Sequence, residues 1–134
     1  MRLKERAEVI AFCMKLKDVY EDYPFHDMNW TLIRHKKNKK AFAWIYEREG
    51  IIWINVKCDP EWRDFWRSAY TSVIPAYHQN KEHWNSIKLD GTIPNDDVIR
   101  MIKESYDLTD GKKKRIKSAR AKEKTEIGLE IIER

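Results

Sequence analysis

Lys40-Ala41-Phe42-Ala43-Trp44-Ile45-Tyr46-Glu47, then Arg48-Glu49-Gly50, then Ile51-Ile52-Trp53-Ile54-Asn55-Val56-Lys57 is the stretch that decides the fold. Large apolar side chains alternate along both arms, which is the two-residue period of a strand. On the first arm Phe42, Trp44 and Tyr46 fall on one face, and Ala41, Ala43 and Ile45 on the other. On the second, Ile52, Ile54 and Val56 oppose Ile51, Trp53 and Asn55. Between them Gly50 supplies the positive φ that a tight antiparallel turn needs. Upstream, Trp30 to Arg34 reads as another strand, joined to Lys40 by the polar link Lys36-Lys37-Asn38-Lys39. A basic cluster, Arg34, His35, Lys36, Lys37, Lys39 and Lys40, is thereby expected at an exposed hairpin tip.

Working outward, residues 3–20 carry Val9, Phe12, Cys13, Leu16, Val19 and Tyr20 at spacings of three and four, so a helix is expected there, ended by Tyr23-Pro24. Asp59-Pro60-Glu61 is a strong helix start: an N-cap acid, proline at the first helical position, and an acid near the positive dipole end. Trp62, Phe65, Trp66 and Ala69 then form one apolar face. Ser72 to Tyr77 reads as a short irregular strand, Trp84 to Leu89 as another, and Pro94 to Leu108 as the last helix. The expected class is α+β in the order α-β-β-β-α-β-β-α, an antiparallel sheet with helices packed on one face. The domain is expected over 1–110, with 111–134 as a basic C-terminal extension.

The chain has 134 residues, 42% hydrophobic and with six tryptophans, enough for a core without disulfide or metal. Cys13 and Cys58 lack metal spacing and are read as free buried thiols. No apolar run reaches the length of a membrane span. The N-terminus lacks a signal-peptide core, so a cytoplasmic protein is expected. Residues 1–111 hold eighteen basic and eighteen acidic residues, so the whole excess of +5 belongs to the tail. Lys112, Lys113, Lys114 and Arg115 open that tail. A balanced body with a basic hairpin and a basic tail suits a polyanion, although charged tips and tails also serve solubility. The apolar residues Ile127, Leu129, Ile131 and Ile132 suggest that the tail docks on the body or on a second copy, giving a homodimer.

Enzyme signatures are missing. There is no glycine-rich phosphate loop, zinc spacing or nucleophile elbow. The densest polar group is Tyr77-His78-Gln79-Asn80-Lys81-Glu82-His83-Trp84-Asn85. His78 and His83 would need a carboxylate such as Asp59 or Asp90 to hold a metal, and as general bases they lack a visible nucleophile. The reading preferred is structural, with the histidines and Asn80 tying the loop to its neighbours; direct ligand contact is the other. The stripe Phe42, Trp44, Tyr46 carries a similar pair of readings, core beneath the helices or a platform for stacking bases, and Trp30 and Trp53 share it.

These residues in this order carry a resemblance. Lys57-Cys58-Asp59-Pro60-Glu61, Val73-Ile74-Pro75-Ala76-Tyr77-His78-Gln79-Asn80-Lys81, His83-Trp84-Asn85, Leu89-Asp90-Gly91 and Ile93-Pro94 resemble the MmcQ/YjbR family over roughly residues 5–110. Pro24-Phe25 and Lys40-Ala41-Phe42-Ala43 fit its opening strands. The resemblance implies a compact fold similar to the bacterial frataxin homologue CyaY, and DNA binding through a double-wing arrangement of hairpins. Lys57, Tyr77, His78, Asn80, Lys81, His83, Trp84 and Asn85 match its signature. The chain departs from the family in the charge of its first hairpin tip, where members often have a glycine-containing turn, and in the tail that runs past the usual end.

The function expected is therefore non-catalytic DNA binding, non-specific and phosphate-mediated. Arg34, Lys36, Lys37, Lys39 and Lys40 would track phosphates, and Lys112, Lys113, Lys114 and Arg115 would add affinity. No cofactor, metal or membrane partner is expected. The alternative is a protein-interaction or chaperone-like adaptor using the exposed sheet face. A third reading, a small-molecule or metal site on the His78–Trp84 loop, ranks last.

Overall fold

The computed structural model describes residues 3–111. Lys112, Lys113, Lys114, Arg115 and the rest of the tail, with the dimer contact expected of it, lie outside the described residues. The elements are α1 (Arg6–Met14), β1 (Val19–Asp22), β2 (Thr31–His35), β3 (Ala41–Arg48), β4 (Ile51–Lys57), α2 (Pro60–Ala69), β5 (Val73–Pro75), β6 (Trp84–Lys88) and α3 (Asn95–Thr109). All strand pairs are antiparallel, in the order β1-β2-β3-β4-β6-β5. The class is α+β, as the alternation in β3 and β4 requires.

One face of the sheet meets all three helices. Val9 and Phe12 of α1, Trp62 and Trp66 of α2, and Val98, Met101 and Ile102 of α3 pack with Ile33, Ala43, Ile45, Ile54, Val56 and Ile87 into one buried cluster. Burying each such side chain contributes about 1.5–3 kcal/mol. The start of α2 is the one the sequence announces. Asp59 accepts a hydrogen bond from the Glu61 amide at 3.1 Å, with Pro60 in the first turn. The β3–β4 turn places both Glu49 and Gly50 at positive φ, 55° and 75°, as a twisted two-residue hairpin demands.

Two expectations are corrected. The helix over 3–20 is two elements: α1 stops at Met14, and Val19–Asp22 is an extra strand that pairs with β2. Asp18 sits at φ 56°, a left-handed residue that no helix continues through. Val19 still reaches the core, but from a strand, so its helical spacing is coincidental. The second correction concerns the aromatic stripe. Arg34 pairs with Ala41 and Ile33 with Ala43, so β3 carries one extra residue, Phe42, in a bulge. Phe42 thereby turns to the helix side, against His35 and Tyr106. Trp44 and Tyr46 stay on the opposite face.

Cys13 and Cys58 are free and buried. Burial pushes each thiol up to about 12, which leaves them as inert core residues at neutral pH. Among the described residues no helix is long and apolar enough to cross a membrane.

Candidate functional site

The signature loop is fastened from two sides. Asn55 on β4 is fully buried. Its side-chain amide nitrogen donates to the Tyr77 carbonyl at 2.8 Å and to Gln79 Oε1 at 2.9 Å. Its oxygen accepts from the Tyr46 hydroxyl at 2.8 Å and from Ser86 Oγ at 2.6 Å. Ser86 Oγ also accepts from the Tyr77 amide at 2.8 Å. A buried amide whose four bonds are all made orients everything around it. The second fastening comes from α2. Arg67 donates to Asn85 Oδ1 at 2.7 Å and to the Lys81 carbonyl at 2.6 Å, and Arg63 donates to the Glu82 carbonyl at 3.0 Å. Asn80 folds the loop on itself, accepting from the Glu82 amide at 2.8 Å, and Lys81 Nζ donates to the Ala76 carbonyl at 3.0 Å. The loop is tied down as expected, but not by its histidines. The rings of His78 and His83 make no hydrogen bond to a described residue, and both residues are exposed. His83 contributes its carbonyl, which accepts from the Cys58 amide at 2.8 Å. Among the described residues no three His, Cys, Asp or Glu side chains gather where a metal would bind.

The face of the sheet away from the helices carries the other side chains of note. Cross-strand pairs share a face, so Leu32, Trp44, Asn55 and Ser86 form one row across it, and Tyr46, Trp53 and Lys88 form the next. Lys57 and Trp84 pair beside them. No helix covers Tyr46, yet it is wholly buried. The cover is aromatic. Trp30 stacks on it at 4.3 Å between ring centroids, and Tyr77 lies 5.8 Å away at 25°. Trp30 and Tyr77 lie within 15° of parallel, 6.4 Å apart, and both are half-buried. The exposed His78 ring packs on Tyr77 at 3.9 Å. The Arg48 guanidinium sits 4.2 Å from the Tyr77 ring centre and 5.3 Å from that of Trp53, in cation–π geometry. Burial and the loss of water push the Tyr46 phenol up to about 12. Beneath this layer the Trp44 indole N–H is buried without a partner among the described residues, at a cost of about 1–3 kcal/mol. Of the stripe, Phe42 is core beneath the helices, whereas Trp44 and Tyr46 belong to a second aromatic layer with an outer surface.

The basic hairpin is at the opposite end of β3. Arg34 is paired with Asp22 at 2.7 Å and donates to the Lys39 carbonyl at 2.9 Å, so its guanidinium is already engaged within the hairpin. Lys37 is paired with Asp110 at 3.1 Å. Lys36, Lys39 and Lys40 are exposed, without an ion pair to a described acid. Lys39 adopts φ 64°, closing the tip through its amide to the His35 carbonyl at 2.9 Å. The tip is bolted to α3. Asn38 Nδ2 donates to the Thr109 carbonyl at 2.8 Å, and His35 Nε2 meets Thr109 Oγ1 at 2.7 Å. The Thr109 hydroxyl already donates to the Ser105 carbonyl at 2.8 Å, so His35 Nε2 carries the proton. Burial holds the His35 imidazole below its ordinary pKa, against the attraction of Asp110. Asp110 and Gly111 follow Thr109, and the chain then continues into Lys112.

A family model described as YjbR matches residues 14–108. The chain belongs to the YjbR family. YyaQ of Bacillus subtilis (strain 168) is 36% identical over 99 residues, covering 66% of this chain and 83% of YyaQ. YjbR of Escherichia coli (strain K12) is 29% identical over 100 residues, covering 75% and 82%. Among solved structures, Deinococcus radiodurans DR2400 superposes with a TM-score of 0.74 at 26% identity, covering 82% of this chain and 81% of that one. A Pseudomonas syringae protein does so with a TM-score of 0.70 at 27% identity, covering 78% and 98%.

In this member of the YjbR family the signature residues divide by role. Tyr77 and His78 reach the aromatic layer, whereas Asn80, Lys81, His83 and Asn85 hold the loop in shape. Trp84 and Lys57 stand on the open face as a cross-strand pair. Reading the sequence left out Asn55, Arg63 and Arg67. Asn55 carried a visible signal, since an asparagine in the middle of an Ile/Val strand is a polar group that must find partners when buried. The two arginines carried none, because their targets, the Lys81 and Glu82 carbonyls and Asn85 Oδ1, are distant in sequence.

Proposed function

We propose that this YjbR-family protein is a non-catalytic DNA-binding protein that contacts phosphates through Lys36, Lys39 and Lys40 of the hairpin and through the basic tail. One observation carries the reading. The Asn38–Thr109 and Lys37–Asp110 contacts hold the hairpin tip against the last residue of α3 and its C-cap Asp110, which is two residues before Lys112. The last described residues before Lys112 therefore lie beside the hairpin tip, which supports a reading in which one polyanion meets both basic segments. Charge brought together this way releases counterions from several neighbouring phosphates at once. Arg34 and Lys37, paired with acids, serve the shape of the hairpin. The contacts are to the backbone of the nucleic acid and carry no base reading.

The test is fluorescence anisotropy of a labelled oligonucleotide titrated with the full chain at two salt concentrations. Binding at low salt that weakens steeply as salt rises supports the reading. Absence of binding at low salt removes it.

A second reading, an adaptor for a protein partner, draws on the segment before β2. Tyr23, Phe25 and Met28 are 41%, 43% and 68% exposed, and Phe25 continues the aromatic layer onto Trp30 and Trp44. Apolar surface of this kind is where partner proteins dock.

A further inference from the structure

We propose that the open face of the sheet binds the bases of a single-stranded nucleic acid, stacked against Trp30, Tyr77 and His78 with Arg48 beside them. This rests on the polyanion reading above and specifies its substrate: unpaired strand rather than duplex.

The geometry of the rings is the first argument. Trp30 and Tyr77 lie side by side, 15° from parallel, and both lie within 25° of Tyr46 beneath. Trp30 lies flat on Tyr46, while Tyr77 already carries the His78 ring at 3.9 Å and the Arg48 guanidinium at 4.2 Å, so a base would meet the Trp30 ring with the His78 and Arg48 side chains at its edge. Trp30 and Tyr77 are half-buried and His78 is exposed, so the surface is reachable.

Charge is the second argument. Arg48 and Lys88 stand within 6.0 Å of the Trp53 ring on this face, and Lys57 shares it. The acids beside this face are Asp22, paired with Arg34 at 2.7 Å, and the exposed Glu49 of the β3–β4 turn, 3.9 Å from Arg48 Nε. A purely apolar ligand gains nothing from this arrangement, whereas a base with its phosphate gains from both the ring and the cation.

Continuity with the hairpin is the third. Lys40 immediately precedes the strand that carries Trp44 and Tyr46. At about 3.3 Å per residue, Tyr46 lies about 20 Å along the strand from Lys40, a span of several nucleotides. One strand anchored by its phosphates at the tip reaches the platform with its bases. A duplex keeps its base faces inside its own stack and cannot use the platform.

The experiment compares three labelled probes of equal length on the full chain: oligothymidylate, a strand with the same phosphates but abasic throughout, and a duplex. Oligothymidylate is expected to bind about tenfold tighter than the abasic strand and to quench tryptophan fluorescence, which the abasic strand leaves unchanged. Trp30→Leu and His78→Asn are expected to bring oligothymidylate down to the abasic affinity while leaving the abasic affinity as it was. The second variant sits on the surface, and asparagine tolerates the left-handed backbone of His78 (φ 62°), so it decides the matter if Trp30→Leu misfolds. Equal affinity for oligothymidylate and the abasic strand, or preference for the duplex, overturns this inference and leaves the phosphate reading standing; a face occupied by a protein partner gives that same equality. Failure of all three probes to bind at low salt overturns both.

Discussion

Asn38 Nδ2 donates to the Thr109 carbonyl at 2.8 Å, across seventy-one positions of sequence, and so fixes the tip of the β2–β3 hairpin to the last turn of α3. Asn38 Oδ1 meanwhile accepts from the Lys40 amide at 2.9 Å, shaping the tip itself. Asn38→Ala removes both bonds at a half-exposed site. It is expected to lower stability by about 1 kcal/mol and to speed amide hydrogen exchange in Lys36–Lys40. Unchanged exchange there would mean that His35 and Lys37 hold the tip without Asn38.

Asn55 is the residue on which the loop and the aromatic layer both depend. Asn55→Leu removes the acceptor of the Tyr46 and Ser86 hydroxyls and the donor to the Tyr77 carbonyl and Gln79 Oε1, leaving Tyr46 only its 3.2 Å contact with Ser86 Oγ. A loss of about 2–4 kcal/mol in urea unfolding is expected, against about 1 kcal/mol for Tyr46→Phe, which deletes one donor. Equal effects of the two substitutions would contradict the hub role.

Arg67 tests the clamp from α2. Its planar fork spans Asn85 Oδ1, the Lys81 carbonyl and the Trp84 carbonyl at 2.7, 2.6 and 3.4 Å. Lysine keeps the charge but not the fork. Arg67→Lys is expected to cost about 1–2 kcal/mol and to open the backbone after Lys81 to limited proteolysis, while α1 and β1 stay protected. Protection of that bond in the variant would show the loop to be fixed by Asn55 unaided.

These residues also show what was legible beforehand. The β3 and β4 alternation and the Asp59-Pro60-Glu61 start dictate their elements locally, so the sheet and α2 could be read directly. Val19 and Tyr20 could not, because a helix period and a strand edge agree for two residues, and the break at Asp18 comes from a left-handed φ that many sequences adopt or avoid according to tertiary pairing. The bulge at Phe42 was hidden for the same reason. It depends on which partner Ala41 meets, a long-range fact. Of the site, the aromatic residues and the basic tip were visible as types and spacings. Their separation to two ends of one strand, and the pairing of Arg34 and Lys37 with Asp22 and Asp110, were not, since each acid lies far off in sequence.

His35 sets the acid limit of the hairpin. Burial holds its folded pKa below the ordinary 6.5, despite Asp110. The unfolded chain therefore takes up a proton as pH falls through about 6.5 while the folded protein resists, so stability present above that pH is lost as it falls toward the lowered value. The unfolding free energy of the native chain, from urea titrations, should fall as pH drops below about 6.5, by at most about 1.4 kcal/mol per pH unit. His35→Gln, which can still donate to Thr109, should flatten that segment. Parallel curves for the two proteins would place the acid sensitivity elsewhere.

The convergence of hairpin and tail is tested most directly by the salt dependence of oligonucleotide binding, measured on the full chain and on its Lys36→Gln/Lys39→Gln/Lys40→Gln variant. The native protein should give a slope of log K against log salt near −5, for about six phosphates. The variant should be shallower by about 2–3, the share of three lysines. A slope unchanged by the substitutions, or no binding at low salt by either protein, would contradict the assignment of the hairpin to a phosphate backbone.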